Sequence, residues 1–470
     1  MNEEEKYAKL QNLFTPAIDF LRRFQNILVV THIDADGLSA GAILTKMLLN
    51  MKKKFTVRAI MQLDDKFINS IPDHYDVILA DFGSAKIEKL GEKLNNFIVL
   101  DHHELPEKFT TPKNVAHVNP HLIGIDGGVE ISASGLAYML AELIDERNVE
   151  LLPLAIVGAL GDMQDVGKNH EFIGVNKVLI EKGKKLGLIE MVKDLRLFGR
   201  ETKPIHIALA YSLPPTFRGL ANDERTTREF LVKNCGIDIG PEGMEKTPAQ
   251  LSEAEKQKIF QELLSLALDS SFPQDMVEDL YGYVYLFPKF SEHVYLKNAI
   301  EFANILNACG KMEKPGLGIA VALGAIEYIT NALIEVARYR ANISLMVNKI
   351  YNEKRIVEYS NIYVVHLHNE ANEGITSTIA TILVRSLTKP LIVLVYSKDG
   401  HTKVSARAPR NINVNMGIIM RKASEAVGGL GGGHMLAAGA LIPTSKEKKF
   451  IEVTNTLVKE FVEGCYESSD

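Results

Sequence analysis

The chain has 470 residues, of which 46% are hydrophobic and 24% are charged, a composition that excludes wholesale disorder. No apolar run reaches the roughly 18 to 20 residues that span a bilayer, and the acidic first residues differ from a secretory signal. We therefore expect no membrane association and a cytoplasmic location, which also suits the three widely separated cysteines, Cys235, Cys309 and Cys465. The net charge of −6 excludes a uniformly basic nucleic-acid-binding surface, but it allows a local basic groove.

Strand and helix patterns alternate through the first third of the chain. The apolar runs at residues 26–31, 76–81 and 96–101 have the continuous hydrophobicity of strands that are buried on both faces. Residues 38–49 and 134–144 have helical periodicity. This alternation predicts an α/β fold with a doubly wound parallel sheet, and such sheets bind ligands at the carboxyl ends of their strands.

The rest of the chain predicts a mostly helical segment followed by a second, smaller α/β domain. The expected domains are a catalytic domain at 1–203, a mostly helical insertion at 204–325, a connecting helix at 326–350 and a C-terminal domain at 351–470. Within the insertion, residues 281–287 predict a lone strand. Residues 237–280 carry ten acidic and three basic side chains, which makes this part of the insertion an acidic surface.

Acidic and imidazole side chains follow the predicted strands of the first domain and one of its helices. They are His32, Asp34, Asp36, Asp81, Asp101, His102, His103 and Asp162. A single such carboxylate commonly caps the next helix, but many carboxylates in one cleft repel each other unless cations neutralise them. Aspartate and histidine without thiolate suit Mn²⁺ or Mg²⁺, with Zn²⁺ and Fe²⁺ as alternatives. The number of candidate ligands predicts two ions about 3.5–4 Å apart, an arrangement that hydrolyses phosphoesters.

These residues form motifs with a known counterpart. His32-x-Asp34-x-Asp36-Gly37, then Asp81, then Asp101-His102-His103, then Gly161-Asp162 resemble the four motifs of the DHH phosphoesterase superfamily in their order. Residues 431–439, Gly-Gly-Gly-His-x-x-Ala-Ala-Gly, resemble the glycine–histidine motif of the DHHA1 domain. Length and layout are similar to those of archaeal RecJ-like exonucleases of the GINS-associated type. The resemblance implies an N-terminal DHH domain and a C-terminal DHHA1 domain.

The resemblance also implies a role for each motif residue. One ion would be bound by His32, Asp34 and Asp81, and the other by Asp36, Asp81, His102 and Asp162, so that Asp81 would bridge the two ions. The catalytic residues would be Asp81, Asp101 and His103. His103 would lie near the phosphoryl oxygens, and Asp101 would orient the histidines.

A second group of residues near the C-terminus predicts phosphate binding. The glycine-rich loop predicted at residues 428–433 lets backbone N–H groups approach an anion closely. Residues 401–425 are mostly basic among their charged side chains. They contain one acid, Glu425, and five basic residues, which are Lys403, Arg407, Arg410, Arg421 and Lys422. The resemblance implies that substrate is bound by Ser405, Arg407, Arg410, Gly431, Gly432, Gly433 and His434. His366 and His368 share a strand face, and we interpret them as a structural pair rather than a third metal site.

The resulting expectation is a hydrolase that acts on phosphodiester bonds. It would be a metal-dependent exonuclease on single-stranded DNA, and also RNA, that releases mononucleotides in replication or repair. Two divalent cations are expected, Mn²⁺ ahead of Mg²⁺, and the resemblance favours the 5′ to 3′ direction. A GINS-like replisome protein would bind the insertion. Two alternatives stay open: a phosphodiesterase on short oligoribonucleotides or cyclic dinucleotides, and a replisome scaffold with residual nuclease activity.

Overall fold

The computed structural model describes residues 1–106, 108–212, 219–269, 275–397, 400–409 and 412–464. These residues divide into two compact units, the first ending at Val336 and the second beginning at Ala337. Within the described ranges, no helix combines the length and apolar character needed to cross a membrane.

The first unit contains a parallel sheet and a two-stranded antiparallel sheet. Its strands are β1 (Asn26–His32), β2 (Lys54–Ile60), β3 (Asp76–Ala80), β4 (Phe97–Leu100), β5 (Val115–Val118), β6 (Glu190–Leu195) and β7 (Tyr281–Leu286). The first five strands are all parallel, in the order β2-β1-β3-β4-β5. The predicted parallel α/β architecture is therefore confirmed. The predicted lone strand is wrong in one respect, because β7 pairs along its whole length with β6.

Helices surround both sheets and connect their strands. The first unit contains α1 (Glu3–Asn12), α2 (Thr15–Arg23), α3 (Ala35–Asn50), α4 (Asp65–Ser70), α5 (Ile87–Lys93), α6 (Ala133–Ile144), α7 (Leu152–Gly161), α8 (Gly174–Lys185), α9 (Ile205–Ser212), α10 (Glu224–Lys233), α11 (Glu253–Asp269), α12 (Asp275–Glu278), α13 (Val294–Lys297), α14 (Ala299–Lys311) and α15 (Pro315–Ala322). Helix α16 (Ile329–Asn352) runs from the first unit into the second.

The parallel sheet is covered on both faces. Val29 and Ile78 point into a core built with α3, α6 and α7, whereas their neighbours Val30 and Val77 point into a core on the opposite face. Continuous apolar runs are required for such two-sided burial, which is why these strands are recognisable in the sequence. The loops at their carboxyl ends carry the polar residues.

The middle of the chain has a hydrophobic core of its own. Its members lie between Leu195 and Leu280, and they include Leu209, Phe230 and Ile259. Helices α14 and α15 do not join that core, because Phe302, Leu306 and Val321 pack into the core of the parallel sheet. The insertion predicted from the sequence thus contains two parts with different packing partners.

The second unit is built on one mixed sheet with the strand order β12-β13-β11-β10-β9-β8. Its strands are β8 (Val357–Glu358), β9 (Tyr363–His368), β10 (Leu391–Tyr396), β11 (His401–Arg407), β12 (Leu430–Gly433) and β13 (Ala437–Pro443). Its further helices are α17 (Glu373–Val384), α18 (Met416–Glu425) and α19 (Glu447–Val462). Strands β9 and β10 are parallel, and the other pairs are antiparallel.

The glycine-rich segment corrects one expectation. Residues 428–433 were predicted as a loop, but residues from Leu430 to Gly433 form strand β12, which pairs with β13. Close packing explains the composition: a Cβ atom on Gly431 would lie 2.5 Å from the carbonyl oxygen of Met420. Gly431 therefore lets the strand lie tightly against helix α18.

Candidate metal centre

Three neighbouring strand ends bring the first set of candidate ligands together. His32 ends β1, Asp81 follows β3, and Asp101 and His102 follow β4, and these three strands are adjacent in the sheet. Asp81 has a φ of +69°, the left-handed region that non-glycine residues seldom adopt. Such backbone conformations persist where the surrounding structure fixes them, and they are common at functional sites.

The first ligand group consists of His32, Asp34 and Asp81. The Nδ1 atom of His32 lies 2.7 Å from Asp34 Oδ2 and 3.4 Å from Asp81 Oδ2. Asp34 is also the N-cap of α3, where its other oxygen accepts a hydrogen bond from the Gly37 backbone N–H at 3.0 Å. One carboxylate therefore starts the helix and still presents an oxygen to the group.

The second ligand group consists of Asp36, Asp81, His102 and Asp162, whose ligand atoms all lie within 4.8 Å of one another. The Nε2 atom of His102 is central, at 3.2 Å from Asp81 Oδ1, 3.3 Å from Asp162 Oδ2 and 3.8 Å from Asp36 Oδ2. Asp81 belongs to both groups, and it uses a different oxygen in each. A carboxylate shared in this way can bridge two cations.

The imidazole of His102 is held in one tautomer. Its Nδ1–H donates a hydrogen bond to the carbonyl oxygen of Gly127 at 2.7 Å, and a carbonyl can only accept. The neutral ring then has its lone pair on Nε2, the nitrogen that faces the carboxylates, as a metal ligand requires. Gly127 must be a glycine for this approach, because a Cβ atom there would lie 1.9 Å from the carbonyl oxygen of His102.

Helix α6 holds the Asp36 carboxylate. Its first two residues donate their backbone N–H groups, Ala133 to Asp36 Oδ2 at 2.7 Å and Ser134 to Asp36 Oδ1 at 3.0 Å. A helix N-terminus stabilises negative charge, so these bonds keep a fully buried carboxylate in place. The adjacent helix α7 comes close enough that a Cβ atom on Gly158 would meet Asp36 Oδ1 at 2.3 Å.

The electrostatics of the cluster fit the binding of divalent cations. Burial and the neighbouring Asp81 carboxylate raise the pKa of Asp36 to about 6, and burial and Asp36 raise the pKa of Asp162 well above its usual range. Burial opposes protonation of His102, but its contact with Asp81 outweighs this effect and raises its pKa. These shifts show repulsion among buried carboxylates that protons relieve in part and that cations would relieve more fully. Oxygen and imidazole donors without thiolate suit Mn²⁺ or Mg²⁺.

Asp101 makes hydrogen bonds with His103 and with the backbone of Ser84. Its Oδ1 atom lies 2.9 Å from the Nδ1 atom of His103 and also accepts the His103 backbone N–H at 3.2 Å. Its Oδ2 atom accepts a hydrogen bond from the Ser84 N–H at 2.8 Å. The ring of His102 makes a hydrogen bond to the Gly127 carbonyl. His103 is the more exposed of the two histidines, with 41% of its side chain accessible, whereas His102 is buried.

In the second unit, the predicted phosphate-binding residues lie on β11 and β12, the two strands that flank β13, and in the turn after β12. The register of the sheet places Ser405 opposite Gly439, Arg407 opposite Ala437, and Gly433 opposite Ala438, so all lie near one end of it. Arg407 donates from Nε to Thr381 Oγ1 at 2.9 Å and from Nη1 to the Ala406 carbonyl at 2.8 Å, and burial lowers its pKa to about 10. His434 follows β12 in a turn closed by its N–H and the Ala437 carbonyl at 2.8 Å. Arg410 lies outside the described residues.

The structure adds supporting residues that no sequence motif indicated. Asn307 on α14 accepts a hydrogen bond from the Ala35 N–H at 3.0 Å, and Gln164 donates to the Gly127 carbonyl at 2.9 Å. Asn119 donates to Ser84 Oγ and to the His103 carbonyl, both at 3.0 Å. Each of these residues lies far along the chain from the group it supports, or outside a recognisable motif, so only the fold brings them together.

Comparison with known families matches three segments of the chain. The N-terminal domain of the DHH family matches residues 26–160, the DHH-CID domain matches residues 197–281, and the DHHA1 domain matches residues 359–460. Together they include every residue of the two ligand groups except Asp162, the middle core without Leu195, and the mixed sheet without β8. An uncharacterized protein from Methanocaldococcus jannaschii is 30% identical over an alignment of 469 positions, which covers 97% of this chain and 99% of that protein.

Solved structures share the fold at lower identity. RecJ from Thermus thermophilus, solved in complex with Mn²⁺, superposes with a TM-score of 0.56 and 17% identity over 96% of this chain. The match spans 55% of that RecJ, so this chain corresponds to about half of its length. CDC45 from Entamoeba histolytica superposes with a TM-score of 0.60 and 13% identity, covering 98% of this chain and 99% of CDC45. The family matches and the full-length relative together show that the chain belongs to the DHH phosphoesterase superfamily, with a C-terminal DHHA1 domain.

Proposed function

We propose that this protein is a metal-dependent exonuclease of the RecJ type that hydrolyses single-stranded nucleic acid from one end. The observation that carries the proposal is the position of Asp81 between two adjoining ligand groups. When bound there, two divalent cations supply an activated water and neutralise the charge on the phosphoryl oxygens. Phosphodiester hydrolysis is the reaction that this arrangement serves best, with Mn²⁺ ahead of Mg²⁺ as the cofactor.

The chain's own residues hold this centre in the geometry that the reaction needs. The amides of α6 fix Asp36, and the Gly127 carbonyl fixes the tautomer of His102. Asp101 engages Nδ1 of His103, so Nε2 is the ring nitrogen suited to a phosphoryl oxygen or a leaving group. Preorganised donors of this kind lower the cost of charge development in the transition state.

The second unit supplies groups suited to the phosphate of a nucleic-acid end. Arg407 is anchored through Nε and Nη1, and no carboxylate pairs with it in the described part of the chain. A desolvated arginine without a counter-ion is a good partner for phosphate. A Cβ atom added to Gly432 would meet nothing within 4 Å beyond its chain neighbours, so packing does not require a glycine there, whereas close approach of a ligand does.

The middle segment is the proposed docking site for a replisome protein similar to GINS. Its acidic surface repels nucleic acid, and it exposes Asp238, Glu242 and 81% of Met244. Methionine is enriched at protein–protein interfaces, and an acidic surface attracts a basic surface of a partner. The test is a pull-down of such a partner by the full chain and by a variant that lacks residues 237–280. Loss of binding in the variant supports a docking surface, whereas an enzyme without a docking surface should bind no partner in either form.

The decisive experiment is a time course on long end-labelled single strands of DNA and RNA with Mn²⁺, Mg²⁺ or a chelator. Mononucleotides that appear from one end only with metal support the exonuclease and reveal its polarity, for which we propose 5′ to 3′. Survival of long strands with cleavage of very short oligoribonucleotides or cyclic dinucleotides would favour the phosphodiesterase alternative. Absence of all cleavage, with retained partner binding, would favour the scaffold alternative.

A further inference from the structure

A second cluster of metal-binding side chains lies in the C-terminal unit. His366 and His368 on β9 and Glu447 at the start of α19 place three ligand atoms within 4.8 Å of one another. The three atoms are His366 Nδ1, His368 Nε2 and Glu447 Oε2. None of these residues belongs to the ligand groups or phosphate-binding motifs described above.

The separations between these ligand atoms are close to those between the ligands of a tetrahedral metal ion. His368 Nε2 lies 3.3 Å from Glu447 Oε2, and His366 Nδ1 lies 4.0 Å from the same oxygen. Zinc bonds to histidine nitrogen and carboxylate oxygen are about 2.0–2.2 Å long, so two ligands of a tetrahedral zinc ion lie about 3.3–3.5 Å apart. The His368–Glu447 pair already has this separation, the His366–Glu447 pair needs a shift of about half an ångström, and the two histidine nitrogens lie within 4.8 Å of each other.

The local structure orients the three side chains toward each other. The register between β9 and β10 shifts at Leu394 and Val395, which pair with His366 and His368 respectively, so the two histidines flank a bulge. Bulges of this kind redirect side chains. The ring of His368 stacks on Tyr396, with centroids 4.2 Å apart and planes at 16°, and Glu447 Oε1 accepts a hydrogen bond from the Thr402 hydroxyl. Metal ligands are commonly held by such supporting contacts.

One nitrogen atom of the cluster lacks a hydrogen-bond partner among the described residues. It is His366 Nδ1, which is buried. Leaving a buried imidazole nitrogen unpaired is unfavourable, and a metal ion is one partner that would satisfy it. A structural histidine pair, the interpretation that the sequence favoured, accounts for the contact between His368 and Glu447 but leaves this nitrogen without a role.

We propose that His366, His368 and Glu447 form a zinc site that is distinct from the catalytic centre. Two imidazoles and one carboxylate favour Zn²⁺ over Mn²⁺ and Mg²⁺, and three protein ligands leave the fourth position to water. The sheet register places Thr402 and His368 at the opposite end of the mixed sheet from Arg407 and Gly433. The ion therefore braces β9 against α19 and does not contact the proposed nucleic-acid end.

Anomalous diffraction tests the site on the intact chain. Metal-free protein is saturated with Mn²⁺ and then crystallised with Zn²⁺, and data are collected at the zinc edge. A zinc peak between His366, His368 and Glu447 is expected. Absence of that peak, while the ligand atoms are ordered, would overturn the proposal.

Zinc stoichiometry in solution tests the ligands. In the presence of Mn²⁺, Glu447→Gln and His366→Gln should each retain one zinc ion fewer per chain than the wild type, with nuclease activity unchanged. His74→Ala, at an exposed histidine of the first unit, is the matched control and should retain the full amount. Because the two ligand variants alter different elements, an unchanged zinc content in both folded variants would refute the site. Their thermal unfolding verifies that each is folded.

Discussion

The side-chain oxygen of Asn307 lies 3.0 Å from the backbone nitrogen of Ala35, and it accepts a hydrogen bond from it. This bond joins α14 to the segment that carries His32, Asp34 and Asp36. The same helix places Gly310 so close to this segment that a Cβ atom there would lie 1.6 Å from the carbonyl oxygen of Ile33. Helix α14 therefore positions the segment from His32 to Asp36, the ligand segment, although about 270 residues of sequence separate the two.

Asn307→Ala should weaken metal binding without unfolding the protein. Loss of one hydrogen bond costs about 1 kcal/mol, so several-fold more Mn²⁺ should be needed for half-maximal hydrolysis, with the maximal rate largely restored at saturation. Asn304→Ala is the matched control, since Asn304 lies on the same helix and makes no side-chain hydrogen bond in the described ranges. An equal effect in both variants would contradict a specific role for Asn307.

Asp81→Asn should abolish hydrolysis. Replacing a supporting residue near a metal costs about 10- to 100-fold, so removing the carboxylate shared by both groups should cost more than about 100-fold. Asparagine is the better variant because Asp81 has a positive φ, which asparagine tolerates and alanine does not. Substantial turnover by the purified, folded variant would contradict the two-ion centre.

Asp162→Asn should stabilise the metal-free protein. Burial and repulsion by Asp36 raise the pKa of Asp162, and the neutral amide removes this repulsion. The variant should therefore unfold at a higher temperature than the wild type in chelator, but gain less stability on addition of Mn²⁺. Differential scanning calorimetry with and without Mn²⁺ measures both effects. A lower unfolding temperature in chelator would show that repulsion is not the dominant interaction of this carboxylate.

Gly432→Val should weaken substrate binding while leaving the fold intact. Nothing beyond the chain neighbours of Gly432 lies within 4 Å of where a Cβ atom would stand, so the added side chain clashes with a ligand rather than with the protein. Gly433→Ala is the contrasting variant, because Gly433 has a φ of +140° and its Cβ would lie 2.6 Å from Ala438 Cα. We expect a higher KM with an unchanged Tm for the first variant, and a lower Tm for the second. Normal KM in Gly432→Val would exclude ligand contact at this strand.

Arg407→Ala should raise the KM for nucleic-acid ends and leave the metal content unchanged. The guanidinium is held by Thr381 and the Ala406 carbonyl, so it is oriented before substrate binds. Thr381→Val removes one of these anchors and keeps the charge, and it should give a smaller increase in KM than Arg407→Ala. Kinetics on short single strands measure both variants. If Arg407→Ala has the kinetics of the wild type, Arg407 does not contact the substrate.

The sequence predicted the parallel sheet well because each strand is a short apolar run that ends in polar residues. That pattern follows directly from burial on both faces of the sheet, as Val29 and Val30 illustrate. The same pattern indicates the acidic and imidazole side chains at the strand ends as candidate ligands. The structure then brings them together in the two groups expected from the resemblance.

Features that depend on distant contacts could not be predicted in the same way. The sequence predicts a loop where β12 lies, because a run of glycines has no alternation of polar and apolar side chains. The need for glycine at position 431 becomes visible only from the packing of β12 against α18. The contribution of Glu447 to the histidine pair on β9 likewise has no local signal, since 79 residues separate it from His368. Asn307 is a third example, because nothing near it in the sequence marks it as a neighbour of β1.

The separate core between Leu195 and Leu280 has a consequence for folding cooperativity. A segment with its own buried cluster can open as an independent unit, at a free energy below that of global unfolding. Helices α14 and α15, which follow this segment in the chain, pack on the core of the parallel sheet instead. The support that α14 gives to the ligand segment therefore depends on a different core from that of the segment proposed to dock a partner, although Asn298 at the N-cap of α14 donates a hydrogen bond to Glu201 of that segment at 3.1 Å.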